Sequence, residues 1–227
     1  VISDIWHFLL NTPRKATFVH FKTFQDRLNF RHRILQRIGL DASKYSVLNV
    51  HKIGIDAPAN YIFEELMNWN GDSSCWPNHI AKVQRINDQI ENIQILPFGK
   101  ERYPFGLKNG VFGFRYIPLF NLNALKIQAV PSPVDSDNAR YLLYKCSGGY
   151  PIGFFTMYVR SSIEQQNEKE QSQIFFIVGF DFFGKRNFSK NKLVVQFWTL
   201  IHNRVSNNVV NRFKELCEWR FEKIKEG

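Results

Sequence analysis

Arg212 is the side chain with the sharpest chemical demand in this sequence. Plotted at about 100° per residue, Val194, Trp198, Ile201, Val205, Val209, Leu216 and Trp219 fall on one stripe of a C-terminal helix, and Arg212 projects from its middle. A guanidinium buried there without a partner would cost several kcal/mol. It calls for a protein acid, a ligand carboxylate, phosphate or polarised carbonyl, or a stem that packs while its head reaches water. His202 and Asn208 flank the stripe on opposite sides, while Asn203, Ser206, Asn207, Asn211, Lys214, Glu215 and Glu218 fall largely elsewhere. Further upstream, strand alternation puts Thr156, Tyr158 and Arg160 on one face, and Arg140, Leu142, Tyr144 and Cys146 on one face. Alternation does not choose which of these faces is internal. Their polar and aromatic mix makes Tyr144, Tyr158 and Arg160 further candidates for ligand contact.

Other chemistries find little support. The histidines at 7, 20, 32, 51, 79 and 202 show no metal-ligand spacing, and neither a G-x-S-x-G elbow nor an H-E-x-x-H motif is present. Ser147-Gly148-Gly149-Tyr150-Pro151 lacks the strand and helix context of a phosphate-binding loop and reads as a turn. Asp135-Ser136-Asp137-Asn138 clusters oxygen ligands, but no downstream Gly and Glu complete a calcium loop. The expectation is no metal, no cofactor and no catalytic residue, and the balance leans against an enzyme.

Composition bounds the partners. The 227 residues are 44% hydrophobic, enough to bury a core, and include 22 Phe, 8 Tyr and 5 Trp, which suit apolar pockets as well as cores. A net charge of +10 makes anionic membrane surfaces and acidic proteins candidate partners. Nucleic acid is not expected, because no recognition motif accompanies the charge. Cys75, Cys146 and Cys217 form no disulfide framework, which favours a reducing compartment, cytoplasmic or inside an organelle, with peripheral attachment to a membrane as an option. No apolar run reaches the length of a spanning helix. The chain begins at Val1 rather than Met, which leaves room for residues before it.

The elements that would position these side chains can be read in order. Residues 1–44 form an N-terminal extension, and 45–227 form the main domain. A helix is expected from about Lys15 to Ile38, with Phe21, Phe24, Leu28, Leu35 and Ile38 on one face and Gly39 as its stop. Seven Lys/Arg against one acid, Asp26, lie between Arg14 and Arg37, a basic amphipathic pattern suited to an anionic membrane or to docking on its own domain. A strand at Tyr45–Ile55 has Val47, Asn49, His51, Ile53 and Ile55 on one face. Asp56-Ala57-Pro58-Ala59 starts a helix that runs to about Trp69, and a second short helix is expected at Ser73–His79. Strands follow at Lys82–Ile86, Ile90–Leu96, Leu119–Ala129, Ala139–Ser147, Phe154–Ile163 and Ile174–Phe183, and a final helix at Asn191–Ile224. Residues 97–117 mix aromatics, glycines and basic residues as a long loop or distorted hairpin, a candidate contact for a protein partner. Ile174-Phe175-Phe176-Ile177-Val178-Gly179-Phe180 is apolar on both faces, so both faces of the sheet need cover, and part of residues 1–44 is expected to supply one of them.

An order of strand, two helices, about six antiparallel strands and one long helix resembles the helix-grip fold of the START-like (SRPBCC) superfamily, which includes birch-pollen-allergen-like proteins and polyketide cyclases. His51-Lys52-Ile53-Gly54-Ile55-Asp56-Ala57-Pro58-Ala59-Asn60-Tyr61-Ile62-Phe63 is similar to that superfamily's opening, and Trp76-Pro77 with Ile80 and Val83 to its entry into the second strand. The resemblance implies an α+β fold in which a curved antiparallel sheet of about seven strands wraps a long C-terminal helix, with a cavity between them for a lipid, sterol, polyketide or similar molecule. Arg212, His202, Asn208, Trp198, Val205, Val209, Tyr144, Tyr158, Arg160 and Trp76 would then contact the ligand. The alternatives are an interaction or scaffold subunit, with residues 97–117 and the last strands as contact surfaces, and a cyclase-type enzyme using Arg212, His202 and the tyrosines.

Overall fold

Val47–Ile55 forms strand β1, and its alternation divides the molecule into two cores. Val47, Ile53 and Ile55 turn to one side of the sheet, and Leu48 and Val50 to the other. The computed structural model describes residues 17–23, 25–26, 29, 35–41, 45, 47–67, 80–85, 90–95, 120–130, 139–147, 153–161, 171–180 and 192–227, with 80–85, 90–95 and 120–130 described as backbone. The expected helix at Ser73–His79, the 97–117 segment and Trp76 lie outside these residues.

After β1 the chain enters helix α1, Ala59–Met67. The Ile62 amide donates to the Pro58 carbonyl at 3.0 Å, so the proline stands in the first turn, where its missing N–H costs nothing. Ala59, Ile62, Phe63 and Leu66 are buried, a spacing that keeps one face of the helix against the sheet. Strands β2 (Ile80–Arg85), β3 (Ile90–Ile95), β4 (Phe120–Val130), β5 (Arg140–Ser147), β6 (Phe154–Ser161) and β7 (Ser172–Phe180) follow, then helix α2, Lys192–Glu226. Among the described residues the sheet order is β1-β7-β6-β5-β4-β3-β2, antiparallel at every step. The first strand thus lies beside the last, and α2 runs along β1. The fold is α+β, with an antiparallel sheet and a long C-terminal helix, consistent with the helix-grip arrangement.

The inner core joins α1 and α2 to the sheet. Leu142, Tyr144, Phe155, Met157, Val159, Ile174 and Val178 meet Val210 and Cys217 of α2 there. The outer core holds Tyr141, Leu143, Phe154, Tyr158, Phe175 and Ile177, with Leu35 and Ile38 packed over them and Val19, Phe21 and Leu40 at its margin. Both faces of β7 are therefore covered, as its two-sided hydrophobicity demands. The extension supplies the outer cover.

The extension differs from a helix beginning at Lys15. Phe18 bridges His51 in antiparallel fashion: Val19 N donates to Val50 O at 2.9 Å and Lys52 N to Thr17 O at 2.8 Å. β1 would otherwise present an unpaired edge, and three residues of extended chain satisfy part of it. The helix start signal comes later. Asp26 N donates to Thr23 Oγ1 at 3.0 Å and Thr23 N to Asp26 Oδ2 at 3.1 Å, a reciprocal capping box. The stop signal falls where expected. Gly39 has φ of 73°, Leu40 N donates to Leu35 O and Gly39 N to Gln36 O, and Leu35 and Leu40 share the outer core. That is a Schellman turn with its hydrophobic contact.

Gly179 explains how the outer core closes over β7. It pairs with Phe154, and a Cβ built on Gly179 would lie 2.2 Å from the Phe154 ring. The Phe154 ring packs on Tyr45 at 4.9 Å and so has little room to retreat. Gly179→Ala is expected to destabilise the protein by about 1–3 kcal/mol, read as a lowered urea midpoint with unchanged m-value.

Candidate functional site

Two kinds of surface meet where α2 crosses the sheet. One is the apolar inner face. Tyr144 stacks on Phe155 with ring centroids 4.4 Å apart and planes 14° apart, and Phe176 lies 5.9 Å from Phe155. Phe176, Val194, Val195, Val209 and Phe213 pack against this cluster and stay only partly buried. The second surface is a buried polar layer between α2, β1 and residues 17–19.

That layer is built from side chains set by the register of β1. Asn49 and His51 share the inner face with Val47 and Ile53, and both are buried. Opposite them α2 contributes His202, Asn203, Ser206 and Asn207 at helical spacing. Asn49 Nδ2 and Ser206 Oγ lie 3.4 and 3.3 Å from His202 Nδ1. Asn207 Oδ1 accepts the Thr17 N–H at 2.8 Å and the Thr17 hydroxyl at 3.0 Å. Because the hydroxyl proton is committed to Asn207, the His51 Nδ1 at 2.9 Å from Thr17 Oγ1 must be the donor. His51 is therefore the Nδ1–H tautomer, with a lone pair on Nε2. His51 Nε2 and Asn203 Oδ1 are both buried, and neither meets hydrogen-bond geometry.

Burial dominates the titration of both rings. It pushes His51 down to about 4, and the Asn203 side chain offsets this only in part. Burial pushes His202 down to about 3, and a charge on His51 lowers it further. At neutral pH both rings are uncharged.

The lower half of α2 is fixed by charged contacts at the end of β1. Glu218 Oε1 accepts the Asp56 N–H at 2.8 Å, Lys214 donates to the Gly54 carbonyl at 2.8 Å and pairs with Glu218, and Arg220 pairs with Glu65 of α1. Cys217 is buried among them, a free thiol held protonated by burial and then by the Glu65 and Glu218 carboxylates.

The expected site residues part company here. Arg212 is not a buried cation: its guanidinium pairs with Glu215 one turn on, both about 40% exposed. The buried positions of α2 include His202, Ser206, Val210, Asn211 and Cys217, displaced by about one residue, or 100°, from the apolar stripe. The stripe failed as a guide because β1 offers Asn49 and His51 to the helix, so polar residues on α2 face inward. Val205, Val209 and Asn208 are half-buried, and Trp219 is 59% exposed. His202 does sit in the sheet–helix junction. Tyr144 lines the inner face. Tyr158 and Arg160 do not, since they belong to the outer face. Tyr158 is buried in the outer core, and Arg160 donates to Gln173 Oε1 while its guanidinium lies 5.1 Å over the Phe175 ring. The Trp198 side chain and Trp76 fall outside the described residues. Sequence reasoning missed Thr17, Asn49, His51 and Ser206 as a unit. The available signal was Asn49 and His51 alternating with Val47 and Ile53 on one strand face. Arg212→Ala is expected to change stability by less than about 0.5 kcal/mol in chemical denaturation, as for other exposed ion pairs one helical turn apart.

Among the described residues no group of three metal-ligating side chains converges, and no helix is long and apolar enough to cross a membrane. No protein-family profile matches the sequence, and no curated protein is significantly similar to it. Some solved structures are weakly similar to the chain. The ZhuI aromatase/cyclase from Streptomyces sp. R1128 is 14% identical over 77% of this chain and 95% of its own, with a TM-score of 0.48. An uncharacterised protein from Bacillus thuringiensis is 10% identical over 75% of this chain and 98% of its own, with a TM-score of 0.45. A truncated norcoclaurine synthase from Thalictrum flavum is 12% identical over 70% of this chain and 91% of its own, with a TM-score of 0.36. At such identities and TM-scores these neighbours say nothing of ligand or activity.

Proposed function

We propose that the protein binds an apolar or amphipathic small molecule between the inner face of the sheet and α2. One observation carries this reading: Phe176, Val194, Val195, Val209 and Phe213 face the inner core yet remain only partly buried. Apolar surface left open beside a packed aromatic cluster gains about 25 cal/mol for each Å² that a ligand covers. The stacked Tyr144 and Phe155 form a rigid layer beneath these side chains, and the buried His202 lies in the same sheet–helix junction. A lipid-like occupant fits this lining. No nucleophile, acid–base pair or metal set among the described residues favours catalysis over binding.

The test is native mass spectrometry of the purified protein, with lipid extraction, followed by displacement of an apolar fluorescent probe. A bound lipid-like molecule, and probe binding weakened about tenfold or more by Val209→Trp, are expected. Absence of any bound molecule, together with probe binding unaffected by that substitution, would overturn the reading.

A scaffold role has its own observation. Leu193, Phe197 and Leu200, at i, i+4 and i+7 on the first turns of α2, are 75%, 56% and 50% exposed. A protein partner docked there would bury them. The β7 strand is a poorer contact surface for a partner, since both of its faces are already covered.

A further inference from the structure

We propose that the addition of residues 17–19 to the edge of β1 is a proton-released latch, with His51 as its sensor. Three observations combine. First, among the described residues the segment is held by two backbone hydrogen bonds to β1, the anchoring of Thr17 by His51 and Asn207, and the packing of Val19 on the outer core. Second, Nδ1 already carries its proton, donated to Thr17 Oγ1 while the hydroxyl proton goes to Asn207, so the ring that residues 17–19 cover is neutral in the docked state. Third, the one place for a further proton is Nε2, which is buried and outside hydrogen-bond geometry, with the Asn203 side chain offsetting that burial only in part.

The surroundings of His51 can be named element by element. Residues 17–19 contribute Thr17 and Phe18, whose ring lies 5.6 Å from the imidazole. β7 contributes Phe176, the cross-strand partner. α2 contributes Asn203, Asn207 and, through Asn49, His202. Of these only His202 titrates, and a charge on it would repel a charge on His51. The ionisable groups nearest in sequence on these elements are Lys52, His20 and Arg204, none of them an acid, and the acids of α2 begin at Glu215. The Glu218 carboxylate accepts the Asp56 backbone N–H beyond Ile55, about 16 Å along β1. A protonated His51 is therefore an interior cation with no acid beside it among the described residues, whereas in the undocked segment the ring would be hydrated. Acid shifts the equilibrium toward the undocked state, which uncovers the β1 edge and loosens the chain leading to Leu35 and Ile38.

Hydrogen–deuterium exchange of the full chain tests this, with rates corrected for the intrinsic pH dependence of exchange. Protection of the Val19 and Lys52 amides is expected to fall about a hundredfold between pH 7.5 and 4.5, by linkage, while the β6–β7 ladder stays protected. In His51→Gln, which keeps an amide donor but cannot titrate, the fall is expected to vanish. The same fall in His51→Gln, or no fall in the wild-type chain, would overturn the latch. Should His51→Gln not fold, NMR titration of the wild-type imidazole decides. A ring that keeps its Nδ1–H tautomer until the two amides lose protection supports the latch, and one that charges near pH 6.5 with both amides still protected refutes it.

Discussion

Removing residues 1–44 is expected to collapse the folded state rather than to trim it. Leu35 is fully buried and Ile38 nearly so, both against Leu48, Val50, Phe154, Tyr158, Phe175 and Ile177. Each such side chain contributes about 1.5–3 kcal/mol by burial, and its loss also returns part of the outer face to water. Thr17 and residues 18–19 leave with it, and the β1 edge loses its partner. The combined loss is about 5 kcal/mol or more, set against a net stability of about 5–15 kcal/mol for a typical domain. The truncated chain should show a non-cooperative melt and bind a hydrophobic dye, whereas Leu35→Ala should melt cooperatively with a loss of about 2–5 kcal/mol. A cooperative melt of the truncated chain at the full-length midpoint would contradict this. The extension is for this reason a structural part of the domain. Leu35 and Ile38 are already committed to the outer core and so are not available to a membrane.

Stability should fall as the pH drops from about 6.5 toward 4. The sign follows from the direction of the shift. His51 has a folded-state pKa of about 4 and an ordinary value of 6.5, so between those limits the unfolded chain binds the proton and the folded one does not. The contribution is complete above 6.5, declines as pH falls through the window, and changes no further below about 4. A shift of this size corresponds to about 3 kcal/mol. His202, lowered to about 3 by burial, acts in the same direction and extends the window downward. Urea midpoints at pH 7.5, 6, 5 and 4.5 measure it, and His51→Gln should roughly halve the slope between 6.5 and 5, leaving the part due to His202. A wild-type midpoint constant from pH 7 to 5 would show that neither ring is buried neutral. The same proton acts locally before it acts globally, since the residues 17–19 contact is held by far fewer bonds than the sheet.

Much of the architecture was legible because it rests on periodicity. The two-residue alternation of β1 and β7 and the Asp56-Ala57-Pro58 entry to α1 were all read close to their observed places. The apolar character of both faces of β7 correctly demanded a second core. The Gly39 stop was legible too, since a left-handed residue after an apolar turn has one common use. The N-terminal start was not, because Thr23 and Asp26 compete with upstream residues that look equally helical until β1 offers them an edge.

The site was legible only in parts. His202 and Tyr144 lie where the sheet meets the helix, but Arg212, Tyr158 and Arg160 do not. Strand alternation fixes which residues share a face and leaves open which face turns inward; only the placement of α2 on one side and Leu35 on the other decides it. Helical periodicity likewise ranks faces by hydrophobicity. It cannot see that Asn49 and His51 on a distant strand make a polar face of α2 the buried one. The sequence by itself determined the strands, α1 and α2 of the described residues, their order and the need for two cores, because those depend on local spacing. Tertiary structure alone decided the rotation of α2, the inward face of β5 and β6, and the pairing of Thr17 with His51 and Asn207. Those depend on contacts between residues as much as 190 positions apart.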